Sequence, residues 1–313
     1  MKKVLFILGP TAVGKTDISI NLAKLYNGEI ISADSVQIFK GLDIGSAKVT
    51  KEETKGVPHH LIDIVTPNEN FTAFDMTEAI KRKIDEISSR KHLPIVVGGT
   101  GLYVKSLILG YNFGGAGVDE EYRKKLQNIL ESEGLEKLAL MLKEVDAMAY
   151  EKVDKKNPQR VLRALEIAHF SGEKKEAKSE IDPLIFALVM NREKLYARIN
   201  LRVDKMLKSG LVGEVRALLK SGVHEDSQAM HAIGYKEVIS FLKGEIDEAR
   251  MVELIKQHSR NYAKRQLTFL RGMENVNYVD VENIGEVENM REKIASWLNQ
   301  DSTKFKMRKQ SKN

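Results

Sequence analysis

The sequence contains no cysteine, which excludes disulfides, a thiol nucleophile and any cysteine-ligated zinc or iron–sulfur site. It also has no run of about 18 apolar residues, so it predicts no membrane-spanning helix. The N-terminus leads directly into a short apolar segment instead of a signal peptide, and we therefore expect a cytoplasmic protein with no membrane partner. With 313 residues, 42% hydrophobic and 30% charged, the chain can form one large domain with a smaller one inserted or appended.

The net charge of +6 is concentrated at the C-terminus. Residues 301–313 contain five basic residues against a single acid, which accounts for four of those charges. Such a tail is typically solvated and disordered. Two further basic clusters, residues 152–163 and 256–271, could each be a plain exposed helix face or a surface that binds anions.

The clearest motif is a phosphate-binding loop near the N-terminus. The segment GPTAVGKT fits the pattern G-x-x-x-x-G-K-[ST] and follows the apolar run 4–8, which predicts a buried strand. In such a loop the backbone N–H groups bind phosphate oxygens, the Lys15 ammonium reaches the terminal phosphates, and the Thr16 hydroxyl ligates Mg²⁺. The predicted phosphate ligands are the eight residues of this motif: Gly9, Pro10, Thr11, Ala12, Val13, Gly14, Lys15 and Thr16.

Strand and helix patterns alternate along the chain. Strands are predicted for five further segments, namely 29–34, 60–65, 95–97, 184–190 and 276–281. This alternation predicts an α/β fold with a parallel sheet core flanked by helices, in which ligands bind at the carboxyl ends of the strands. The phosphate-binding loop, Asp34 and a second glycine-rich loop at 98–101 all follow strands, and we expect them to converge.

A helical stretch interrupts this pattern. After a glycine-rich connector around residues 110–117, strongly helical and charged sequence continues to about residue 181. We therefore expect a discontinuous P-loop core at 1–115 and 182–300, an all-helical insertion at 116–181 and the basic tail at 301–313.

Asp34 is the carboxylate that is best placed for a chemical role. One interpretation makes it a Mg²⁺ ligand or the cap of a helix, because DSVQIF offers Asp and Ser just before an apolar periodicity. The other makes it a general base opposite the phosphate-binding loop, within reach of an acceptor nucleophile. The residues alone leave both interpretations open.

Eight segments of the chain match one enzyme family in the family's own order, over most of residues 3–272. They are GPTAVGKT, ISADSVQIFKGLDIGSAK, PHHLID, PIVVGGTGLYVKSL, NPQRVLRALEI, RINLRVDKMLKSGLVGEVRALL, AIGYKE and NYAKRQLTFLR. On these segments the chain resembles the tRNA dimethylallyltransferase (tRNA isopentenyltransferase) family in its bacterial form. The resemblance implies a core similar to P-loop kinases, with Mg²⁺ as cofactor. It also implies transfer of a dimethylallyl group from dimethylallyl diphosphate to the exocyclic amine of the adenosine 3′ of the anticodon, with the anticodon stem-loop of tRNA as partner.

The resemblance also implies roles for individual residues. Asp34 would be the base, Thr100 would contact the target base or orient Asp34, and Lys15 would stabilise the leaving diphosphate. Arg216 would be a further ligand of the diphosphate. The residues that would lie against the tRNA are Asp34, Ser35, Val36, Gln37, Thr100, Arg123, Gln159, Arg160, Val161, Leu162 and Arg163.

Two alternatives remain from the residues themselves. A small-molecule or nucleoside kinase would hold ATP in the same loop and use Asp34 to deprotonate a hydroxyl. A non-catalytic P-loop protein would use a nucleotide only to order an RNA-binding helical region. The helical insertion with its basic NPQRVLR segment disfavours the kinase, and a carboxylate in the crevice disfavours the binding protein. For the transferase we expect a monomer.

Overall fold

The computed structural model describes residues 1–109, 119–169 and 180–310. The chain forms two compact units, one of Met1–Lys105 with Glu180–Asn313 and the other of Ser106–Ser179. The sequence predicts these divisions at residues 116 and 181, and the predicted connector at 110–117 lies outside the described residues.

A parallel sheet forms the centre of the larger unit. Its strands lie in the order β3-β2-β4-β1-β5-β6, and every neighbouring pair is parallel. The strands are β1 Lys2–Leu8, β2 Gly28–Ser32, β3 His59–His60, β4 Leu93–Gly98, β5 Ile181–Val189 and β6 Val276–Asp280. The predicted parallel α/β core is therefore confirmed.

Helices connect the strands and form the smaller unit. In the described residues of the larger unit they are α1 Lys15–Leu25, α2 Ala73–Ser89, α7 Arg192–Lys208, α8 Leu211–Lys220, α9 Tyr235–Leu242, α10 Glu248–Arg271 and α11 Ile284–Gln310. The smaller unit contains α4 Glu120–Val145, α5 Ala147–Lys152 and α6 Pro158–His169, and α3 Gly101–Leu109 spans the division between the units. None of the described helices combines the length and the apolar character that a membrane crossing requires.

The central strand β1 is buried on both faces. Residues 4–8 are at most 1% exposed, because strands in a parallel sheet are covered by helices on each side and therefore carry continuous apolar runs. Ile20 and Leu22 of α1 and Leu195 and Ile199 of α7 are buried in the same hydrophobic cluster. The sheet is thus a rigid support for the loops that follow its strands.

The strand predicted at 60–65 is wrong beyond its first residue. β3 is only His59–His60, because Leu61 and Asp63 adopt left-handed backbone conformations with φ of 61° and 55°. The Asp63 carboxylate accepts a 2.5 Å hydrogen bond from Lys48 Nζ, which holds the segment in a turn. Only Val65 returns to an extended pairing, as an isolated bridge with Phe39.

The smaller unit and the C-terminal helix complete the described chain. The three helices of the smaller unit enclose a hydrophobic core that includes Leu126, Leu138, Leu142, Val161 and Leu165.

At the C-terminus, α11 continues through residues 301–310, where the sequence predicts a disordered tail. This segment contains neither glycine nor proline, so no residue in it terminates the helix. Residues 311–313 lie outside the described residues.

Candidate active site

Three loops converge at the carboxyl ends of the adjacent strands β2, β4 and β1. The Ala33 amide donates to Val97 O at 2.8 Å, which ties the end of β2 to the end of β4. A Cβ on Gly98 would lie 2.5 Å from Ala33 O, and a Cβ on Gly99 would lie 3.2 Å from Gly9 O. Both positions therefore favour glycine, because any side chain would push the loops apart. The predicted convergence is confirmed.

The phosphate-binding loop wraps around the Lys15 side chain. Lys15 Nζ donates to Gly9 O at 2.9 Å and to Pro10 O at 2.8 Å. Burial and the nearby Arg202 lower the pKa of Lys15 to about 8, and the charge of Asp34 opposes both effects. The protonation of Lys15 near neutral pH is therefore sensitive to the charges around it. Thr16 follows it at the start of α1 and is exposed.

Lys15, Thr16 and Asp34 line a single cavity, together with Ser32 and Gly98. The cavity is therefore bounded by the phosphate-binding loop, by the end of β2 and by the second glycine-rich loop. This juxtaposition places a carboxylate opposite a phosphate-binding loop, as the base interpretation requires.

The Asp34 carboxylate is oriented by the backbone that follows it. Its Oδ1 accepts hydrogen bonds from Val36 N at 2.8 Å and from Gln37 N at 3.2 Å. Asp34 therefore caps a turn instead of a helix, because the residues after it continue as turn. Within the described residues Oδ2 has no hydrogen-bond partner. Ser35, Val36 and Gln37 form this turn and are half-buried.

Two tyrosines surround Asp34. Burial raises the pKa of Tyr103 to about 12, and the Asp34 charge adds to this effect, while the neighbouring Ser35 side chain opposes it. Burial and Asp34 also raise the pKa of Tyr262, and the neighbouring Thr100, Arg265 and Gln266 side chains act in the opposite direction. The structure thus brings Thr100 into the same polar group as Asp34.

Two arginines of α7 that the sequence pattern does not single out lie beside the phosphate-binding loop. An Nη of Arg198 lies 3.7 Å from the position of a Cβ on Gly14. Arg202 Nη2 donates to Ser46 O at 3.2 Å, and its charge acts on Lys15. Burial lowers the pKa of Arg202, whereas Asp34 raises it. Their spacing of four residues on one helix face was the only signal in the sequence.

Arg216, the predicted diphosphate ligand, is exposed on α8. Its neighbour Glu214 accepts hydrogen bonds from the amides of Asp43, Ile44 and Gly45 at 2.7 to 3.1 Å. These contacts fix α8 against the loop at 43–45. The role of Arg216 stays a prediction.

In the smaller unit, the predicted tRNA ligands form an exposed and a buried group. Gln159 and Arg160 are exposed at the beginning of α6. Arg123 and Arg163 contact the two carboxylate oxygens of Glu166 at 3.1 Å and 2.9 Å. Two more of the predicted ligands, Val161 and Leu162, are 0% and 3% exposed. Their side chains pack in the core, so they support the helix and do not face solvent.

Comparisons with known proteins agree on one family. The family model described as IPP transferase matches residues 37–273. A tRNA dimethylallyltransferase from Oceanobacillus iheyensis is 46% identical over 286 residues, which cover 89% of this chain and 91% of the relative. A tRNA dimethylallyltransferase from Bacillus velezensis is 45% identical over 298 residues, covering 93% and 95%.

Solved structures show the same relationship. The full-length tRNA isopentenylpyrophosphate transferase from Bacillus halodurans superposes with a TM-score of 0.74 at 42% identity, over 97% of this chain and 99% of that one. A eukaryotic dimethylallyltransferase, solved acting on tRNA, gives a TM-score of 0.75 at 29% identity, over 90% and 74% of the two chains.

Proposed function

The chain belongs to the IPP transferase family, and on that premise we propose that it transfers the dimethylallyl group of dimethylallyl diphosphate to the exocyclic amine of the adenosine 3′ of the anticodon in certain tRNAs. Family membership makes it a transferase enzyme that modifies tRNA. One observation carries the chemical proposal: Lys15 and Asp34 line the same cavity.

In this proposal the phosphate-binding loop binds the leaving group. As the allylic C–O bond breaks, negative charge develops on the departing diphosphate. Donors and cations that are already in position stabilise this charge more in the transition state than in the ground state. Lys15 supplies a cation inside the loop, and Arg198 and Arg202 supply two more beside it. The loop thus holds a diphosphate that leaves, and ATP is not consumed.

In this proposal Asp34 accepts a proton from the attacking amine. The lone pair of an adenine amine is delocalised into the ring, so the amine is a poor nucleophile unless a base accepts its proton. The amides of Val36 and Gln37 hold Oδ1, which leaves Oδ2 to take that proton. The N–C bond forms, the C–O bond breaks, the proton passes to Asp34, and diphosphate leaves with the bonding electrons.

The target adenine must leave the base stack of the anticodon loop before it can react. An adenine stacked in an anticodon loop cannot reach a carbon held above the phosphate-binding loop, so the nucleotide is extruded into the cavity. Tyr103 and Tyr262 lie close enough to Asp34 for its charge to raise the pKa of both hydroxyls. We assign to the exposed Gln159 and Arg160 contacts with the tRNA backbone, which position the substrate without specifying its sequence.

The oxygen-rich wall of the cavity fits Mg²⁺ as cofactor. Thr16, Ser32 and Asp34 offer hydroxyl and carboxylate oxygens, which are the ligand type that Mg²⁺ prefers. No group of three or more metal-binding side chains occurs in the described parts of the chain. Mg²⁺ would therefore be held by Thr16 together with substrate phosphates and water, and when bound it would neutralise charge on the diphosphate.

The deciding experiment offers the protein unmodified tRNA and Mg²⁺ with either labelled dimethylallyl diphosphate or γ-labelled ATP. We expect label from the diphosphate to appear on tRNA, and we expect Asp34→Asn to reduce the rate by about 10² to 10⁴. Asparagine retains the oxygen that accepts from Val36 and Gln37, so the turn should persist and the thermal midpoint should change little.

Other outcomes would favour the alternatives. Loss of the γ-phosphoryl label from ATP, with no transfer from the diphosphate, would mean that the loop binds a nucleotide and would favour the kinase. Binding of tRNA with turnover of neither substrate would establish the non-catalytic protein.

We also propose that the protein acts as a cytoplasmic monomer. The phosphate-binding loop, Asp34 and the two arginines of α7 all come from one chain, which supports a site complete without a second copy. A light-scattering mass of one chain in the presence of tRNA, after subtraction of the tRNA, would agree with this proposal, whereas a mass of two chains would contradict it.

A further inference from the structure

Glu166 of α6 is a buried carboxylate that lies between two arginines. The residue is only 4% exposed, and its Oε2 accepts a 2.9 Å hydrogen bond from Arg163 Nη1, three residues earlier on the same helix. Its Oε1 faces Arg123 of α4, whose Nε lies 3.1 Å away. A buried carboxylate needs such cations to offset the hydration it has lost. Glu166 therefore links the two helices of the smaller unit through their arginines.

The two arginines are held in different ways. Arg163 donates a hydrogen bond to Oε2, whereas Oε1 forms no hydrogen bond with any residue that the structure describes. The ion pair with Arg123 therefore depends on the full negative charge of the carboxylate. That charge keeps the Arg123 guanidinium beside α6 and limits the conformations that its long side chain can adopt.

The Arg123 guanidinium is open to a ligand on its other side. Its side chain is 43% exposed, while that of Glu166 is 6% exposed. Nε faces the carboxylate, and the two terminal nitrogens have no hydrogen-bond partner in the described parts of the chain. Two guanidiniums share one carboxylate, so the group carries a net positive charge. A half-exposed guanidinium with two unused donors in one plane fits a phosphate group.

We propose that Glu166 is a positioning residue for tRNA binding, an inference that rests on the function proposed above. It holds Arg123 in the conformation in which the guanidinium contacts a phosphate of the tRNA backbone. Because the side chain is ordered before the tRNA arrives, less rotamer freedom is lost on binding. Glu166 thus strengthens the binding of a polyanion although it is itself negatively charged.

Positioning and net charge predict opposite effects for Glu166→Gln. If only the net charge mattered, removal of a negative charge would tighten the binding of RNA. Glutamine keeps an acceptor oxygen for Arg163 but turns an NH₂ group, which can only donate, toward Arg123. Arg123 is then released, and Kd for unmodified tRNA should rise about 3- to 10-fold. Unchanged or tighter binding by the folded variant would overturn the inference.

A control in the same unit makes the same change of charge. Glu133 is exposed on α4, 3.8 Å from Lys137, so Glu133→Gln removes one negative charge without releasing Arg123. It should leave Kd for tRNA unchanged or slightly lower. A rise in Kd equal to that of Glu166→Gln would contradict the assignment to Glu166.

The salt dependence of binding distinguishes a phosphate contact from a structural role. Arg123→Ala removes one phosphate contact, so the slope of log Kd against log salt concentration should decrease by about 0.7 to 1. Glu166→Gln should show the same smaller slope, whereas general loosening of the unit would leave the slope unchanged. A wild-type slope in either variant would refute the phosphate contact.

The double variant tests whether Glu166 acts through Arg123. In an Arg123→Ala background, Glu166→Gln should weaken tRNA binding no further, and losses that multiply would overturn the inference. In the transfer reaction each single variant should raise KM for tRNA and leave kcat unchanged, because the contact is the same in the ground state and the transition state.

One measurement needs only the wild-type protein and Arg123→Ala, and so does not depend on the folding of Glu166→Gln. The Nε–H signal of Arg123 is assigned in the NMR spectrum of the free protein by its loss in Arg123→Ala. We expect its order parameter to lie near that of the backbone. A value below about 0.6 would show a freely moving side chain and would refute the positioning.

The binding experiments also separate this inference from the proposed function, because Kd for tRNA is measured without dimethylallyl diphosphate. If the wild-type protein binds tRNA but transfers no dimethylallyl group, the proposed function fails. The comparison of Glu166→Gln with Glu133→Gln then still decides the role of Glu166. A wild-type protein without measurable affinity for tRNA would refute the inference itself.

Discussion

The affinity for diphosphate should fall as the pH rises through the pKa of Lys15. In the free protein, burial and Arg202 lower this pKa to about 8 against the opposing effect of the Asp34 charge. A bound diphosphate adds negative charge beside the ammonium and so raises the pKa in the complex. The contribution of the Lys15 charge to binding is therefore complete below pH 8 and is lost as the pH rises above 8.

The size of the effect follows from the protonated fraction. With a pKa of about 8, this fraction falls from roughly nine-tenths at pH 7 to roughly one-tenth at pH 9. If the neutral amine contributes no affinity, Kd for dimethylallyl diphosphate rises about tenfold over this range, which corresponds to about 1.4 kcal/mol. Titration calorimetry without tRNA, in two buffers of different ionisation enthalpy, measures both Kd and the proton taken up.

Two variants test whether the Lys15 charge causes this pH dependence. Lys15→Arg remains charged throughout the range, so any affinity it retains should vary less with pH than that of the wild type. Asp34→Asn removes the charge that raises the pKa of Lys15, so the loss of affinity should begin at a lower pH. A wild-type Kd that is constant from pH 7 to pH 9 would refute the reasoning, as would an equal slope in Lys15→Arg.

Two further predictions follow from the packing of the site. Arg202→Ala should raise Kd for dimethylallyl diphosphate more than Arg216→Ala does, because Arg202 is a cation close to Lys15 of the phosphate-binding loop, whereas Arg216 is exposed on α8; the opposite order in calorimetry would restore Arg216 as the main ligand. Gly98→Ala should lower the free energy of unfolding in urea by about 1–3 kcal/mol, because its Cβ would lie 2.5 Å from Ala33 O. Gly213→Ala, on α8 with nothing within 4 Å of its Cβ, should instead raise it by up to about 1 kcal/mol.

The sequence predicts the parts of the site that are fixed by local pattern. A glycine-rich loop after an apolar strand, and an Asp at the end of the next one, are readable because parallel strands end at the same edge of a sheet. The same rules predict the helical character of the smaller unit. These rules do not show which residues of the smaller unit are exposed and which are buried. The predicted tRNA ligands therefore include the buried Val161 beside the exposed Arg160.

The remaining parts of the site depend on packing between distant segments. Arg202 reaches the phosphate-binding loop from α7, and Gln266 of α10 accepts a hydrogen bond from Thr11 N in that loop, although both lie well over a hundred residues further along the chain. Which face of those helices meets the loop is decided by the core beneath them. The turn after β3 was missed for a different reason, since Leu61 adopts a left-handed conformation that an apolar residue rarely takes and that its sequence does not signal.

The position of β1 in the sheet has a consequence for synthesis of the chain. Leu5 pairs with Ile95 on one side and with Leu184 on the other, so the first strand made acquires its last neighbour only after β5 is complete. At about 5–20 residues per second, translation from one to the other takes on the order of 10–35 s. Until β5 is complete this continuous apolar strand lacks at least one native neighbour, and an unpaired strand edge of this kind makes a partly folded chain prone to aggregation.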